Sequence, residues 1–352
     1  MPQKVDIGSL LPQELEEFFK ELGQPRFRAT QVFSWLQAGV SSFEEMTDLP
    51  KALREELNER CFLSGVSVER KLCSQIDGTV KYLYRLHDGA FIESVLMKYE
   101  HGYTVCISTQ VGCRMGCKFC ASGLGGLVRN LSAYEMISQV QFAGRDNSVR
   151  ISNVVMMGMG EPLDNFEQSV RFLQLVSHPK GLGIGLRHIS LSTSGLVTGI
   201  HKLAEYNLPI TLSVSLHAPN DALRQSIMPV ARRWSVKELI AACRDYQKVT
   251  TRRISFEYAL IEGVNDSDAC AEQLAALLKG LLCHVNLIPA NPVRENSFKK
   301  PDRKNIERFQ MRLEKLGLNA TIRRTLGADI EASCGQLRQR AEKEMQKEGK
   351  NP

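Results

Sequence analysis

From about Tyr103 onward, short apolar strands alternate with amphipathic helices, and this rhythm restricts the chain to one architectural class. The spacing predicts strands at Thr104–Thr109, Asn153–Met157, His188–Ser192, Thr211–Leu216, Ile254–Leu260 and His284–Ile288. Helices are expected between and after them, near 132–145, 165–178, 198–206, 235–249, 267–279 and 302–316. Strands that are apolar along their whole length belong in sheets covered on both faces, and the intervening helices supply the cover. The expected class is α/β, with a parallel sheet either open or closed as a barrel and an active site at the C-terminal ends of its strands. A further strand, Ala320–Arg324, leads into a final helix through Cys334.

The first 60 residues read differently. Leu15, Phe18, Phe19 and Leu22 share one face of a helix over Leu11–Leu22, and Val32, Phe33 and Leu36 share one over Phe27–Gln37. Asp48 is a candidate cap for a third helix, with Pro50 near its first turn. Residues 66–98 alternate in the strand manner and suggest a short antiparallel connector. The expected organisation is a helical accessory domain over 1–62, a β connector over 63–98, a core over 99–329 and a C-terminal segment over 330–352.

The N-terminus has no basic flank followed by an apolar run, and no stretch of about 18 uninterrupted apolar residues occurs, so a cytoplasmic protein without a membrane partner is expected. Ten cysteines in a reducing compartment need an explanation other than disulfide staples. Cys61, Cys73, Cys243, Cys270 and Cys283 stand singly and read as small buried hydrophobes. The net charge of +6 is uneven: residues 1–90 hold 11 Lys/Arg against 14 Asp/Glu, and the rest hold 34 against 25. Any polyanion would therefore meet the cysteine-bearing part, although ordinary solvated charge explains the excess equally well.

Cys113, Cys117 and Cys120 follow the first predicted core strand at C-x3-C-x2-C spacing. Thiolates hold iron–sulfur clusters, and a cubane takes four ligands. Three on one tight loop leave one iron open, which suits catalysis better than structure. A structural zinc site would need a nearby fourth Cys or a His, and the sequence offers none there. The open iron could chelate the amino and carboxylate groups of S-adenosylmethionine (SAM), and an electron from the cluster would then release a 5′-deoxyadenosyl radical. The spacing, with an aromatic before the third Cys, resembles the radical SAM superfamily over about residues 99–329 and implies a partial parallel (β/α)6 barrel.

Polar groups recur at the predicted strand ends: Met157-Gly-Met-Gly-Glu-Pro162, Ser192-Thr-Ser-Gly195, Ser215-Leu-His217 and Asn291-Pro292. Each alone could be a turn or a cap. In order along the chain, CISTQVGCRMGCKFCASG, GMGEPLDN, LSTSG, SLHAPN, GVNDS, NLIPANP and DIEASCGQL resemble the RlmN branch of the RlmN/Cfr methyltransferases. That resemblance implies formation of 2-methyladenosine in 23S rRNA and in tRNA beside the anticodon. It implies a 4Fe–4S cluster on Cys113, Cys117 and Cys120, two SAM molecules per turnover, and SAM contacts at Gly160, Glu161, Ser192, Ser215, Leu216, His217 and Asn291. It also implies a monomer and an electron donor such as flavodoxin or ferredoxin.

An aromatic C–H carbon is not nucleophilic, so direct displacement of a methyl group from SAM is unpromising. The resemblance makes Cys334 a methyl carrier, Cys106 the thiol that releases the product through a transient disulfide, and Glu93 a proton acceptor. Without the resemblance, Cys106 would read as a buried strand residue and Glu93 as a solvated or paired one. Three alternatives stand beside this expectation: a Cfr-like adenine-C8 methyltransferase, a radical SAM enzyme of another chemistry such as a glycyl-radical activator, and a non-catalytic RNA-binding protein. The second has no use for both Cys106 and Cys334, and the third has no use for an open iron.

Overall fold

The computed structural model describes residues 4–290, 298–330, 337, 338 and 341. Strand β1 (Val5–Asp6) precedes three helices, α1 (Pro12–Glu21), α2 (Arg26–Ala38) and α3 (Lys51–Arg60). The chain then returns as β2 (Cys61–Phe62), which pairs in parallel with β1 and closes the unit on itself. Pro12 at the first helical position and the Glu14 carboxylate, which accepts the Leu11 N–H at 2.8 Å, start α1. Leu15, Phe19, Val32, Phe33, Leu36, Leu53 and Leu57 fill the interior of the unit. Asp48 does not cap α3, because Pro50 occupies the cap position. Its carboxylate instead accepts from Trp35 Nε1 (2.5 Å) and Gln31 Nε2 (3.0 Å), holding the approach to α3 against α2.

The rest of the chain runs β3 (Ser67–Cys73), β4 (Val80–Arg85), β5 (Phe91–Tyr99), β6 (Gly102–Cys106), β7 (Gln110–Gly112), β8 (Leu127–Asn130), α4 (Ala133–Asp146), β9 (Ile151–Met156) and α5 (Phe166–Val176). It continues β10 (Ile189–Thr193), α6 (Val197–Glu205), β11 (Thr211–Ser215), α7 (Asp221–Ile227), α8 (Val236–Thr250), β12 (Ile254–Leu260), α9 (Asp268–Leu278), β13 (Cys283–Pro289), α10 (Arg303–Lys315) and β14 (Ala320–Ile322). One ten-stranded sheet has the order β14-β13-β12-β11-β10-β9-β6-β5-β4-β3. Neighbours from β6 to β14 are parallel, and those from β3 to β6 are antiparallel. Spatial order follows chain order throughout, the arrangement of a singly wound barrel. The barrel stays partial because β5 occupies the second edge of β6, leaving β14 no partner there. The parallel sheet with intervening helices matches the α/β fold expected from the sequence.

Residues 66–98 are antiparallel, as their alternation suggested, but they extend the barrel sheet instead of forming a separate link. Seven of the nine residues of β5 are buried, which a surface connector could not achieve. Cys61, Cys243, Cys270 and Cys283 are buried as expected, whereas Cys73 is exposed because β3 is the outermost strand of the sheet. The helical unit is fixed to the core through hydrogen bonds from Gln141 Nε2 to the Leu36 and Gln37 carbonyls (2.8 and 3.0 Å) and an Arg171–Glu14 ion pair. Among the described residues, no helix is long and apolar enough to cross a membrane.

Candidate active site

The loop carrying the three cysteines is held between β7 and β8, which pair antiparallel and bring its ends together. The Cys113 N–H donates to the Gly126 carbonyl at 2.9 Å, the Cys120 N–H donates to the Cys117 carbonyl at 3.1 Å, and Gly116 takes a positive φ. The Lys118 N–H donates to the Ile227 carbonyl at 2.9 Å, tying the loop to the end of α7. All three cysteines line one cavity of about 740 Å³ at the C-terminal ends of the barrel strands. Burial, then the neighbouring Cys120, pushes the Cys113 thiol up to about 12. Burial, then Cys120 and Cys113, raises Cys117 further still. Three thiolates can share this place only if a multivalent centre takes up their charge, and thiolate ligands to iron are deprotonated by the metal. Among the described residues, no group of three or more His, Cys, Asp or Glu side chains is drawn together closely enough to hold a single metal ion. The donor set therefore fits a three-thiolate cluster with one open position.

The cysteine loop is built into the adjoining Gly-rich loop. Gln110 Oε1 accepts the Glu161 N–H at 2.8 Å, while its Nε2 donates to Asn130 Oδ1 (2.8 Å) and Asp164 Oδ2 (2.9 Å). Arg114, from the cysteine loop, adds a two-pronged contact to the same Asp164 carboxylate. Gly160 has φ +105, and a Cβ there would lie 2.7 Å from the Gln110 nitrogen, so only glycine lets the two loops meet this closely. Glu161 is fully buried, with Oε1 accepting the Leu163 N–H (3.0 Å) and Oε2 the Ser194 N–H (2.6 Å). Burial pushes its carboxyl up, and the Ser194 N–H opposes that shift.

Ser192, Ser215 and His217 line the cavity at the ends of the next two strands. His217 takes φ +56, unusual for a residue with a Cβ. Its Nδ1 accepts the Ala259 N–H at 2.8 Å, which assigns the ring proton to Nε2. Burial, then the Arg224 charge, brings this imidazole down to about 3, so it stays neutral under physiological conditions. Its ring meets Phe119 of the cysteine loop edge-on, with centroids 4.8 Å apart. Asn265 holds the bend in place: its Nδ2 donates to the His217 and Ala259 carbonyls (both 2.7 Å), and its Oδ1 accepts the Ile261 N–H (2.8 Å). Asn265→Ala leaves these buried groups without partners and is expected to cost about 3 kcal/mol or more, measurable by denaturant unfolding of the cluster-free protein.

Cys106, at the end of β6, also lines the cavity, opposite Val95 of β5. Glu93 lies on the same face of β5 as Val95 and Met97, which line the cavity. It is not itself among the lining residues; its carboxylate pairs with buried Lys81 (2.9 Å) and accepts the Arg338 N–H (2.6 Å). Leu216 is buried away from the cavity wall, and its N–H donates to the Glu257 carbonyl at 3.1 Å. Asn291 and Cys334 lie outside the described residues, although Ala290 lines the cavity. Sequence reasoning missed Gln110, Asn265 and Arg224, which work through partners distant in the chain. It also missed Arg323 and Arg324, whose signal was a pair of cations at a strand end.

The family description "Ribosomal RNA large subunit methyltransferase N-terminal domain" matches residues 5–63, and "Radical SAM superfamily" matches residues 107–272. A protein from Alkaliphilus oremlandii, named "Probable dual-specificity RNA methyltransferase RlmN", is 54% identical over 338 residues, 96% of this chain and 98% of its own length. One of the same name from Clostridioides difficile is 48% identical over 338 residues, again 96% of this chain and 98% of its own. The crystal structure of a radical SAM methyltransferase from Sphaerobacter thermophilus superposes with a TM-score of 0.90 at 48% identity, covering 94% of this chain and 98% of that one. The similarity runs from the helical unit through the cluster loop and the whole barrel, and the chain belongs to the RlmN family of radical SAM methyltransferases.

Proposed function

We propose that this chain methylates C2 of an adenine in 23S rRNA, and in tRNA beside the anticodon, using Cys334 as methyl carrier and Cys106 as releasing thiol. The observation that carries this reading is that Cys106 lines the same cavity as Cys113, Cys117 and Cys120. A methyltransferase working by displacement alone has no use for a further thiol there. Relatives at about half identity over nearly the whole chain carry the name dual-specificity RNA methyltransferase, which supports both RNA classes as substrates.

The family uses a 4Fe–4S cluster and SAM. When bound, they supply an electron and a hydrogen-abstracting carbon radical in the cavity. Cys113, Cys117 and Cys120 would hold the cluster, and the neutral His217, Glu161, Gly160, Ser192 and Ser215, with the Leu216 backbone and Asn291, would hold SAM. The Cys334 thiolate takes a methyl from one SAM by displacement. Loss of a hydrogen atom from that S-methyl group lets its carbon bond to the adenine, joining protein and RNA by a thioether. Glu93 accepts the ring proton, and the one electron in excess on the adduct passes to a one-electron carrier, so that a closed-shell thioether remains. The Cys106 thiolate then attacks the Cys334 sulfur, and the S–C bond breaks with its electron pair going to the CH2 carbon on the base, which takes up a proton from solvent to become the methyl group. The two cysteines are left as a disulfide, which external thiol reduces. Arg323 and Arg324, lining the cavity, suit the phosphates beside the target base.

The test is anaerobic incubation with SAM, a low-potential reductant and protein-free 23S rRNA or tRNA, followed by mass spectrometry of the digests. The expected product with either RNA is 2-methyladenosine. 8-Methyladenosine would establish the Cfr-like reading, and no methylated base would overturn both.

A further inference from the structure

The parallel barrel has an open side beyond β14, the last strand at one edge of the sheet. Residues 323–328, which follow β14, line the cavity on that side. The segment sets out where the Arg323 N–H donates to the Leu287 carbonyl of β13 (2.8 Å). Its Leu326 packs against Val95, Met97 and Cys106, so it forms the wall beside Cys106 where the barrel has no strand. Cys106 is only 4% exposed.

The far end of this wall is fastened to the turn between β3 and β4, at the other edge of the sheet. Gly327, at φ +60, donates its N–H to Asp77 Oδ2 (2.8 Å). Asp329 accepts the Ser74 hydroxyl on Oδ1 (2.6 Å) and the Gln75 N–H on Oδ2 (2.9 Å). The turn is braced from within: Asp77 Oδ1 accepts the Thr79 N–H (2.9 Å), and Ser74 Oγ accepts the Ile76 and Asp77 N–H groups (3.2 and 3.3 Å). Thr79, where the turn enters β4, lines the cavity as well. Two aspartates therefore join the opposite edges of one sheet across the open side of the barrel.

We propose that Asp77 and Asp329 are positioning residues for the methyl transfer: by fastening residues 323–328 across the open side they shield Cys106 and the reacting carbon from solution, and so set what share of the SAM cleaved ends as methylated base. The inference rests on the two-thiol reading of Cys106 and Cys334. RNA bound over the cavity mouth blocks that route, and the side beyond β14 is the other one. Closing a site keeps reactive intermediates from side reactions. A carbon radical that meets a solution thiol takes its hydrogen atom and reverts to the S-methyl group, leaving a thiyl radical on the intruder and no methylated base. After the RNA departs, the mouth admits the thiol that reduces the disulfide. Asp329 is also the first residue of the run that carries Cys334, five positions on, so the same fastening fixes where that run leaves the wall.

The test is alkylation of the anaerobically reconstituted, reduced protein with iodoacetamide, followed cysteine by cysteine with peptide mass spectrometry. Exposed Cys73 is the internal standard, and Cys243, with no exposed surface, reports global unfolding. Asp77→Ala and Asp329→Ala each remove one fastening and are expected to speed labelling of Cys106 about tenfold while Cys243 is unchanged, because a local opening leaves the core closed. In turnover with SAM, dithionite and 23S rRNA, both variants are expected to form about tenfold less methylated base per 5′-deoxyadenosine. A loss of folded protein alone lowers both products together and leaves that ratio as it was. Unchanged Cys106 labelling in both variants, or Cys106 and Cys243 rising together, would overturn the proposal. So would an unchanged product ratio in a variant whose Cys106 labelling has risen. The two variants cut different bonds, so if one fails to fold the other decides. An unmodified protein that forms no methylated base would instead overturn the two-thiol reading, and the labelling would still test the wall.

Discussion

Cys106→Ala is expected to trap RNA on the protein, in amounts approaching one RNA per chain, while releasing no methylated base. The variant keeps every other group that lines the cavity, so Cys334 should still accept a methyl and its carbon should still bond to adenine. Release needs a thiolate to attack the Cys334 sulfur, and alanine offers none. Cys334→Ala lacks the carrier and should form neither adduct nor product. Denaturing electrophoresis of the reaction with labelled RNA, followed by peptide mapping, checks both outcomes. Normal turnover by the Cys106 variant, or an adduct through another residue, would show that the two-thiol mechanism is not the one this chain uses.

Replacing any one of Cys113, Cys117 and Cys120 with alanine is expected to abolish both the cluster and SAM cleavage. All three line one wall of the cavity on a loop tied down at Gly126, Ile227 and Asp164. Two thiolates would leave two irons open on a cluster that needs one open position. The variants should be colourless after anaerobic reconstitution, and 5′-deoxyadenosine should fall to background, as read by iron and sulfide analysis and chromatography. A colourless variant that still forms 5′-deoxyadenosine would refute the assignment.

The parts of this site legible in the sequence are those encoded by spacing. C-x3-C-x2-C needs only a tight loop, and the polar groups at 160–161, 192 and 215–217 announce themselves by interrupting apolar strands at regular intervals. What the sequence hid depends on pairs distant in the chain. Gln110 reads as an ordinary strand-end amide, yet it bridges Glu161, Asp164 and Asn130. Asn265 reads as a loop residue, yet it fixes the left-handed bend at His217, 48 positions away. The seven-residue helix α7 is too short to show a periodic apolar face, so Arg224 gave no sign of its burial. Asp48 had the residue type of a cap, but lies two positions before the helix boundary set by Pro50. Residues 66–98 showed their alternation, but not that β5 would pair with β6 and become part of the barrel sheet.

The most direct measurement uses SAM deuterated in its methyl group, with protein-free 23S rRNA, under anaerobic reducing conditions. If the methyl group passes through Cys334 and loses one hydrogen atom before bonding to the base, the 2-methyladenosine released should carry two deuteriums and the 5′-deoxyadenosine one. A product carrying three deuteriums, or 5′-deoxyadenosine carrying none, would mean that the methyl group was transferred intact and would contradict the account.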